Sequence, residues 1–224
     1  MAEVLNFRRD NTARAVRPDT ATHAYLKALG DEDLMLAHGQ GSEEAFRLLL
    51  VRHQRSVLNY IYRMVQNQHV AEELTQEVFL ALVKNAKRYK PTAKFTTYLY
   101  AIASNLVSKE WLRRKRRPMV LGLLTSWMSK DEEAFDPLER IADDGADTLA
   151  AFQREEVSTA VNAALQHLPD HQREAFVLRR FQDLSYEEIA SITDVPVGTA
   201  KSRVVRAERA LRPHLESFRE YLLG

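Results

Sequence analysis

The 224-residue chain contains no cysteine, which excludes disulfide bonds, thiolate metal ligands and cysteine nucleophiles. No apolar run approaches the roughly 20 residues that a membrane-spanning helix needs. The N-terminus also lacks the apolar core of a secretory signal. We therefore expect a cytoplasmic chain without membrane insertion. Glycine and proline are scarce, at 7 each, while leucine, alanine, glutamate and arginine dominate, which favours helices.

An excess of charge of one sign is also lacking, because the formal net charge is only +1. The distribution of charge is more informative than its sum. Residues 94–117 carry seven basic residues and one acidic residue, and residues 201–212 carry five and one. Between them, residues 131–147 carry eight acidic residues and one basic residue. Two basic segments, which are candidate nucleic-acid surfaces, therefore flank an acidic connector.

Composition and hydrophobic periodicity divide the chain into four segments. We expect residues 1–28 to be a flexible, basic extension and residues 29–118 to be a helical domain. Residues 119–149 mix apolar and acidic residues without a sustained period, which is typical of a linker. Residues 150–224 again show helical periodicity. The predicted fold class is all-α, with two small helical domains joined by a flexible linker.

Local signals place several helix boundaries. Ser42, followed by two glutamates, is a predicted N-cap. A second helix is expected over about 70–87, and a third begins near Phe95, after a loop that contains Pro91. In the C-terminal domain, helices are expected near 150–167, 171–182, 185–192 and 198–211.

The C-terminal domain contains a predicted helix-turn-helix. Ser185 and Glu188 form a capping box before a short helix, and a turn at 193–198 leads into a longer basic helix. A major groove admits one such helix, whose side chains bond to bases and phosphates. The alternative is a solvated basic face on an ordinary helix pair. The candidate DNA-contacting residues are Thr199, Lys201, Ser202, Arg203, Val205, Arg206 and Arg209.

With these motifs in place, the chain resembles the bacterial RNA polymerase sigma factors. Residues 31–118 resemble their conserved region 2, and residues 165–211 resemble region 4. The intervening segment has room only for a linker, which is the layout of the extracytoplasmic-function (ECF) group. The resemblance implies minus-10 recognition and promoter melting by residues 29–118 and minus-35 recognition by residues 150–224.

One local match is the segment AEELTQEVFLALVK, residues 71–84. It looks like the family helix that docks on the β′ clamp coiled coil of core RNA polymerase. By resemblance, Glu73, Gln76 and Glu77 belong to the docking face. The alternative is an acidic face that contacts only solvent.

A second match is KFTTYLYAIASNLVSKEWLRRKRRP, residues 94–118, which looks like the promoter-melting and minus-10 segment. Asn105 matches an asparagine that, in some members, lies in the pocket for a flipped base. An aromatic ring beside an amide can hold an extruded base, and basic side chains can hold phosphate. Many members have tryptophan in place of Tyr98 and arginine in place of Ala101. The alternative to a DNA-binding role is that Tyr98 and Tyr100 are packing residues and that residues 113–117 are a solvated helix end. The candidate residues are Lys94, Tyr98, Asn105, Lys109, Arg113, Arg114 and Arg116.

The third match, residues 168–190, resembles the first half of region 4, where Arg173, Arg179 and Arg180 could help to hold the DNA backbone. The alternative is that these arginines are ordinary surface charge. The linker, by resemblance, threads polymerase channels, and its acidic residues could imitate nucleic-acid charge. A disordered spacer is the alternative. The resemblance also implies the β flap as a second polymerase contact, promoter DNA, and an anti-sigma factor as partners.

Other functional classes explain less of the chain. A helix-turn-helix regulator that does not bind polymerase would account for the C-terminal domain alone. An enzyme acting on nucleic acid is disfavoured because the chain has no phosphate-binding loop and no zinc-protease motif. The seven histidines show no tight metal spacing. We therefore expect no catalytic activity, no cofactor and no metal, and a role in transcription initiation during a stress or envelope response.

Overall fold

The computed structural model describes residues 20–116, 157 and 159–215, and all regular secondary structure within these ranges is helical. The all-α prediction is confirmed. The N-terminal half contains α1 (Thr20–Ala28), α2 (Asp31–Gly39), α3 (Glu43–Val65), α4 (Gln68–Asn85) and α5 (Phe95–Arg116). The C-terminal half contains a helical stretch at 159–165, then α6 (Asp170–Arg180), α7 (Tyr186–Thr193) and α8 (Val197–Leu211). No helix in the described ranges is long and apolar enough to cross a membrane.

Helix α3 is the central element of the N-terminal half. As predicted, Ser42 caps it, since its Oγ accepts a hydrogen bond from the Ala45 amide at 3.2 Å. The helix ends at Val65, and the C-cap residue Gln66 has a φ of 52°, which lies in the left-handed region. Apolar side chains from α3, α4 and α5 are buried together, and each contributes about 1.5–3 kcal/mol through removal from water.

Helix α5 is held by residues far away in the chain. Its first amide, that of Phe95, donates to Glu32 Oε1 of α2 at 2.6 Å. Near its other end, Trp111 Nε1 lies 3.4 Å from the carbonyl oxygen of Met64 in α3. Leu99 of α5 is completely buried between these two points. The N-terminal half therefore determines the position of α5 along its whole length.

The C-terminal half is organised around the predicted capping box. Ser185 Oγ accepts from the Glu188 amide at 3.2 Å, and Glu188 Oε2 accepts from the Ser185 amide at 2.7 Å, which confirms that prediction. Three residues separate α7 from α8, and Asp194 turns the chain with a φ of 50°. The α8 residues that face inward are Ala200, Val204, Ala207 and Leu211.

The two halves are packed against each other in this structure. Helix α5 contacts α7, and α3 contacts α6. Arg173 Nη1 of α6 donates to the carbonyl oxygen of Met64 at 3.0 Å, and Lys94 Nζ lies 3.0 Å from Glu188 Oε1. The two predicted helical domains are thus in contact with each other in this structure.

Two segment boundaries in the structure differ from those expected. Residues 20–28, which we assigned to a flexible extension, form α1, and Leu26 is buried against the N-terminal core. Helix α4 begins at Gln68, earlier than expected, because Asn67 Oδ1 accepts from the Val70 amide at 2.9 Å. The linker, residues 119–149, lies outside the described residues, as do residues 1–19.

Candidate polymerase and nucleic-acid interfaces

The predicted docking residues share one exposed strip of α4. Glu73, Gln76 and Glu77 are all exposed, because Leu74, Val78 and Leu82 turn the opposite side of the helix into the core. Glu73 also lies 3.4 Å from His69 one turn earlier. The strip combines negative charge with an amide, which suits a basic or mixed protein surface.

The structure adds two apolar residues that the sequence reasoning did not include in this strip. Leu80 is 55% exposed and Val83 is 43% exposed, and both continue the line that starts at Gln76 and Glu77. Their signal was present in the sequence, because neither residue is in phase with the buried Leu74–Val78–Leu82 series. An apolar residue on the polar side of an amphipathic helix indicates an interaction surface. We call the surface formed by residues 73, 76, 77, 80 and 83 the α4 strip.

Helix α5 brings the predicted aromatic and amide groups onto one side. Tyr98 is half-buried, while Asn105 and Lys109 are exposed at positions seven and eleven residues later on the same face. Tyr89, to which the sequence analysis gave no role, packs with its ring centroid 5.2 Å from that of Tyr98. The α5 face therefore carries the half-buried ring of Tyr98, which packs on the buried ring of Tyr89, together with an amide and an ammonium group further along the helix.

Both phenols of this cluster stay uncharged near neutral pH. Burial is the main cause that raises the pKa of Tyr89 to about 12, and burial also raises the pKa of Tyr98. A neutral ring can stack on a base without repelling the neighbouring phosphates.

The basic end of α5 is partly neutralised. Glu110 accepts hydrogen bonds from Arg113 at 2.5 Å and from Arg114 at 2.9 Å. Burial opposes ionisation of Glu110, but these two guanidinium groups lower the pKa of its carboxyl below the ordinary value. Arg114 also donates to the carbonyl oxygen of Val65 at 2.8 Å. Arg113 and Arg114 can therefore approach phosphate only while sharing their charge with Glu110.

Two further basic residues near α5 contact the C-terminal half. Lys94 pairs with Glu188, as described, and Lys115 lies 3.6 Å from Asp170. Arg116 ends the helix, and its side chain is not among the described features. Among the predicted minus-10 residues, Tyr98, Asn105 and Lys109 are thus brought together, whereas Lys94 is engaged elsewhere.

Helix α8 presents most of the predicted reading residues on one exposed face. Lys201, Val205, Arg206 and Arg209 are exposed, with Val205 at 50%. The spacing of four residues between Lys201, Val205 and Arg209 places them along one line. This arrangement, behind a three-residue turn, has the geometry of a recognition helix.

The remaining predicted reading residues are placed differently. Thr199 and Ser202 are half-buried, and Ser202 Oγ donates to the carbonyl oxygen of Thr199 at 2.9 Å. Arg203 is half-buried, and its positive charge acts on the buried carboxyl of Glu174 in α6. Arg203 therefore belongs to the inner side of α8 rather than to the exposed line.

Of the three arginines of α6, Arg180 is exposed as expected, Arg179 is half-buried and Arg173 is buried. Arg173 is buried and donates to four main-chain carbonyl oxygens, those of Met64, Leu165, Gln166 and Leu168. Arg179 donates to the carbonyl oxygen of Leu184, and Arg180 pairs with Glu208 at 2.6 Å. In this arrangement Arg173 is a structural residue and cannot reach a DNA backbone.

Family models match both halves of the chain. The model described as Sigma-70 region 2 matches residues 49–117, and the model described as Sigma-70, region 4 matches residues 158–211. The matched regions contain α5 and the α7–α8 pair respectively. In the described ranges, no group of three or more histidine and acidic residues could hold a metal ion.

Known proteins resemble the chain over most of its length. The RNA polymerase sigma-H factor of Pseudomonas aeruginosa is 32% identical over 83% of this chain and 94% of its own length. The ECF RNA polymerase sigma factor SigW of Bacillus subtilis is 31% identical over 79% of this chain and 91% of its own. The sigma factor RpoE of Bartonella quintana, solved with the anti-sigma factor NepR, shares the fold with a TM-score of 0.57 and 23% identity, over 76% of this chain and 96% of its own. The chain therefore belongs to the ECF group of the RNA polymerase sigma factors.

Proposed function

We propose that this chain directs core RNA polymerase to specific promoters and assists in melting them. The observation that carries the proposal is the presence, in one chain, of three different exposed surfaces. They are the acidic and apolar α4 strip, the aromatic and amide face of α5, and the basic line of α8. A regulator that only binds duplex DNA needs the third surface and has no use for the first two.

Each of the three surfaces supports one step of transcription initiation. The α4 strip docks on the clamp coiled coil of polymerase, with Glu73, Gln76 and Glu77 supplying polar contacts and Leu80 the apolar one. The exposed residues of α8 enter the major groove at the minus-35 element. The α5 face then receives unpaired minus-10 bases, which stack on Tyr98 and bond to Asn105.

The finer features of this role follow from family membership. We propose that the chain works without a catalytic step or a cofactor, in the cytoplasm, where its polymerase partner is found. We also propose that residues 119–149 connect the two domains within polymerase and that the β flap contacts the C-terminal domain. An anti-sigma factor is the proposed inhibitor, since the Bartonella quintana relative was solved with one. A stress or envelope response is the proposed setting.

In vitro transcription on a genomic fragment library, with core polymerase and the purified chain, tests the proposal. Promoter-specific transcripts are expected with the chain and not with core alone. The variant Gln76→Lys/Glu77→Lys should lower the affinity for core at least tenfold, because two positive charges replace the polar centre of the α4 strip. The matched control, Gln54→Lys/Glu187→Lys, makes the same replacements at exposed positions of α3 and α7 and should bind normally. Equal affinity of both variants would contradict the docking assignment, and absence of specific transcripts would overturn the function.

A further inference from the structure

The contact between the two halves contains a buried polar cluster. Glu174 of α6 is only 5% exposed, although glutamate is rarely buried without a partner. Its Oε1 accepts hydrogen bonds from the hydroxyl of Tyr60 in α3 at 2.9 Å and from that of Ser104 in α5 at 2.6 Å. Both donors belong to the N-terminal half. The carboxyl of the C-terminal half is thus satisfied by the other half of the molecule.

Further polar contacts surround this cluster. The hydroxyl of Tyr100 donates to the side-chain oxygen of Gln182, and Arg63 stacks 4.1 Å from the ring centroid of Phe181. Two ion pairs, Lys94–Glu188 and Lys115–Asp170, lie towards opposite ends of α5. Interfaces between domains that separate are richer in polar groups than a permanent core. This contact therefore has the composition of one that can open.

In the packed arrangement, α5 and α8 lie too close together to reach both promoter elements at once, as the function proposed above requires. The minus-10 and minus-35 elements lie about 25 base pairs apart, or about 85 Å at about 3.4 Å per base pair. In the structure α5 contacts α7, and α8 packs directly on α6 and α7. Since packed helices lie about 8–10 Å apart, α5 and α8 are within about 20 Å of each other. Helices α5 and α8 therefore cannot contact the minus-10 and minus-35 elements at the same time while the two halves are packed together.

The chain between the halves is long enough to permit separation. Residues 117–156, 40 in all, join α5 to the C-terminal half. A chain of that length spans up to about 130 Å when extended, at about 3.3 Å per residue. The linker thus does not prevent the halves from reaching both elements once their mutual contact is broken.

We propose that the packed arrangement is a closed resting state of the chain, locked by Glu174 with Tyr60 and Ser104, and that it opens before both promoter elements can be held. The proposal rests on the function proposed above. Burial raises the pKa of the Glu174 carboxyl, which indicates that water is excluded from the lock. In the open state Glu174, Ser104 and the Tyr60 hydroxyl regain access to water, so that none of them is left unsatisfied.

The closed state can be detected in the wild-type full-length chain by zero-length carbodiimide cross-linking. This reagent joins a lysine amine to a carboxylate only when the two are in contact, and the Lys94–Glu188 pair at 3.0 Å and the Lys115–Asp170 pair at 3.6 Å both bridge the halves. Mass spectrometry of the monomer should find both cross-linked peptides. Their absence would overturn the closed state and leave the proposed function untouched.

The second part of the test uses variants that break the lock, which is the cluster of Glu174, Tyr60 and Ser104. Glu174→Lys places an ammonium group against two hydroxyls and near Arg203, and it should reduce both cross-links at least fivefold. The control Glu187→Lys makes the same change at an exposed position of α7 and should leave them unchanged. Tyr60→Phe/Ser104→Ala removes the donors from the N-terminal half without adding charge, and it should act like Glu174→Lys. Circular dichroism verifies that each variant keeps its helical content.

Polymerase binding separates the two proposals. If the closed state exceeds the open state about tenfold, opening raises the apparent affinity for core by up to about tenfold. Both lock variants should therefore bind core more tightly than wild type, and Glu187→Lys should not. Retained cross-links in both lock variants, or unchanged core affinity after their loss, would overturn the lock. A wild-type chain that shows the cross-links but binds no core would instead overturn the proposed function.

Discussion

The two DNA-facing helices are held in place in different ways. Helix α5 depends on partners distant in sequence, including Glu32 at its start and Met64 near its end, and it also contacts the C-terminal half. Helix α8 is held by an apolar side of small and medium residues that packs within its own half, with Arg180–Glu208 as an additional pair. The helix proposed to capture unpaired bases is thus held by contacts to both halves, whereas the helix proposed to read duplex DNA packs on α6 and α7 of its own half.

The largest expected effect concerns Arg173, which donates hydrogen bonds to carbonyl oxygens of both halves. Arg173→Met should lower the free energy of unfolding by about 4 kcal/mol, because four carbonyl oxygens lose their donor and each costs about 1 kcal/mol. Arg179→Met is the matched control, since Arg179 donates to one carbonyl oxygen and should cost about 1 kcal/mol at most. Urea unfolding of the full chain provides the measurement. Equal losses would show that the buried contacts of Arg173 are not the source of the effect.

A second prediction distinguishes melting from docking. Asn105→Ala should reduce open-complex formation about tenfold or more, because loss of a captured base costs on the order of 1–3 kcal/mol. Permanganate reactivity of unpaired thymines measures the open complex. Core affinity should remain near that of wild type, because Asn105 lies on α5 and not on the α4 strip. A premelted bubble should rescue a defect in opening but not a defect in base recognition.

Wild-type permanganate reactivity of Asn105→Ala on several cognate promoters would remove Asn105 from the base-binding face. The proposed base-binding face of α5 would then consist of Tyr98 and Lys109 alone. Tyr98→Ala would be the next variant to measure, since its ring is the part of the face that packs on Tyr89.

A third prediction compares two arginines of α8. Arg206 is exposed on the outer line, whereas Arg203 is turned towards Glu174. Arg206→Ala should weaken binding of the holoenzyme to the minus-35 element by about 1–3 kcal/mol, dependent on one base position if the contact is bidentate. Arg203→Ala should change this affinity by less than a factor of about three. A loss for Arg206→Ala that is uniform across sequences would indicate a phosphate contact, and an equal loss for both variants would contradict the orientation of α8.

The smallest expected effect is a dependence of the closed state on pH. Burial raises the pKa of Glu174 above its ordinary value of 4.5 in the closed state. The carboxyl therefore stabilises the closed state below the ordinary pKa, and this contribution is lost as pH rises through the raised value. The groups that face it are Tyr60 from α3, Ser104 from α5, Arg203 from α8 and Asp170 from α6 itself.

The yield of the Lys115–Asp170 cross-link, normalised to a control peptide, should fall by a few fold between about pH 5 and pH 8 in wild type. Glu174→Gln keeps an acceptor for both hydroxyls but cannot titrate, so that its normalised yield should remain flat over the same range. A parallel fall in both proteins would assign the pH dependence to a group other than Glu174, and Glu188 is not that group. The pKa of Glu188 is lowered, mainly by the hydrogen bond from the Ser185 amide, so that Glu188 remains ionised across this range.

The sequence predicted those features that depend on neighbouring residues. The Ser42 cap and the capping box at Ser185 each depend on residues within about four positions of one another, and both are confirmed. The family is confirmed as well, because its motifs are local runs with a characteristic order. The assignments of individual residues to polymerase or DNA remain predictions, now placed on exposed faces for the α4 strip and for four residues of α8.

Features that depend on distant residues could not be predicted in this way. From the sequence alone, Arg173 is expected to be a surface residue of a basic helix. It is a buried hydrogen-bond donor because α6 packs against α3. Glu174 reads as an ordinary helix residue, since its partners lie 114 and 70 positions away. Neither periodicity nor capping signals carry information about such contacts, because both describe a single helix and not the surface it meets.

The hydrogen bond from the Phe95 amide to Glu32 also has a consequence for how the protein is made. Glu32 precedes Phe95 by 63 residues, so that α2 has left the ribosome well before α5 is synthesised. Because chains emerge from the N-terminus and domains generally fold as units, α5 can dock on a completed α2–α3 framework as it appears. Glu174 emerges last among the residues of the lock. The nascent chain therefore passes through a stage in which the N-terminal half is folded and has no contact with Glu174. A polymerase that binds at that stage meets a chain that has not yet reached the closed state.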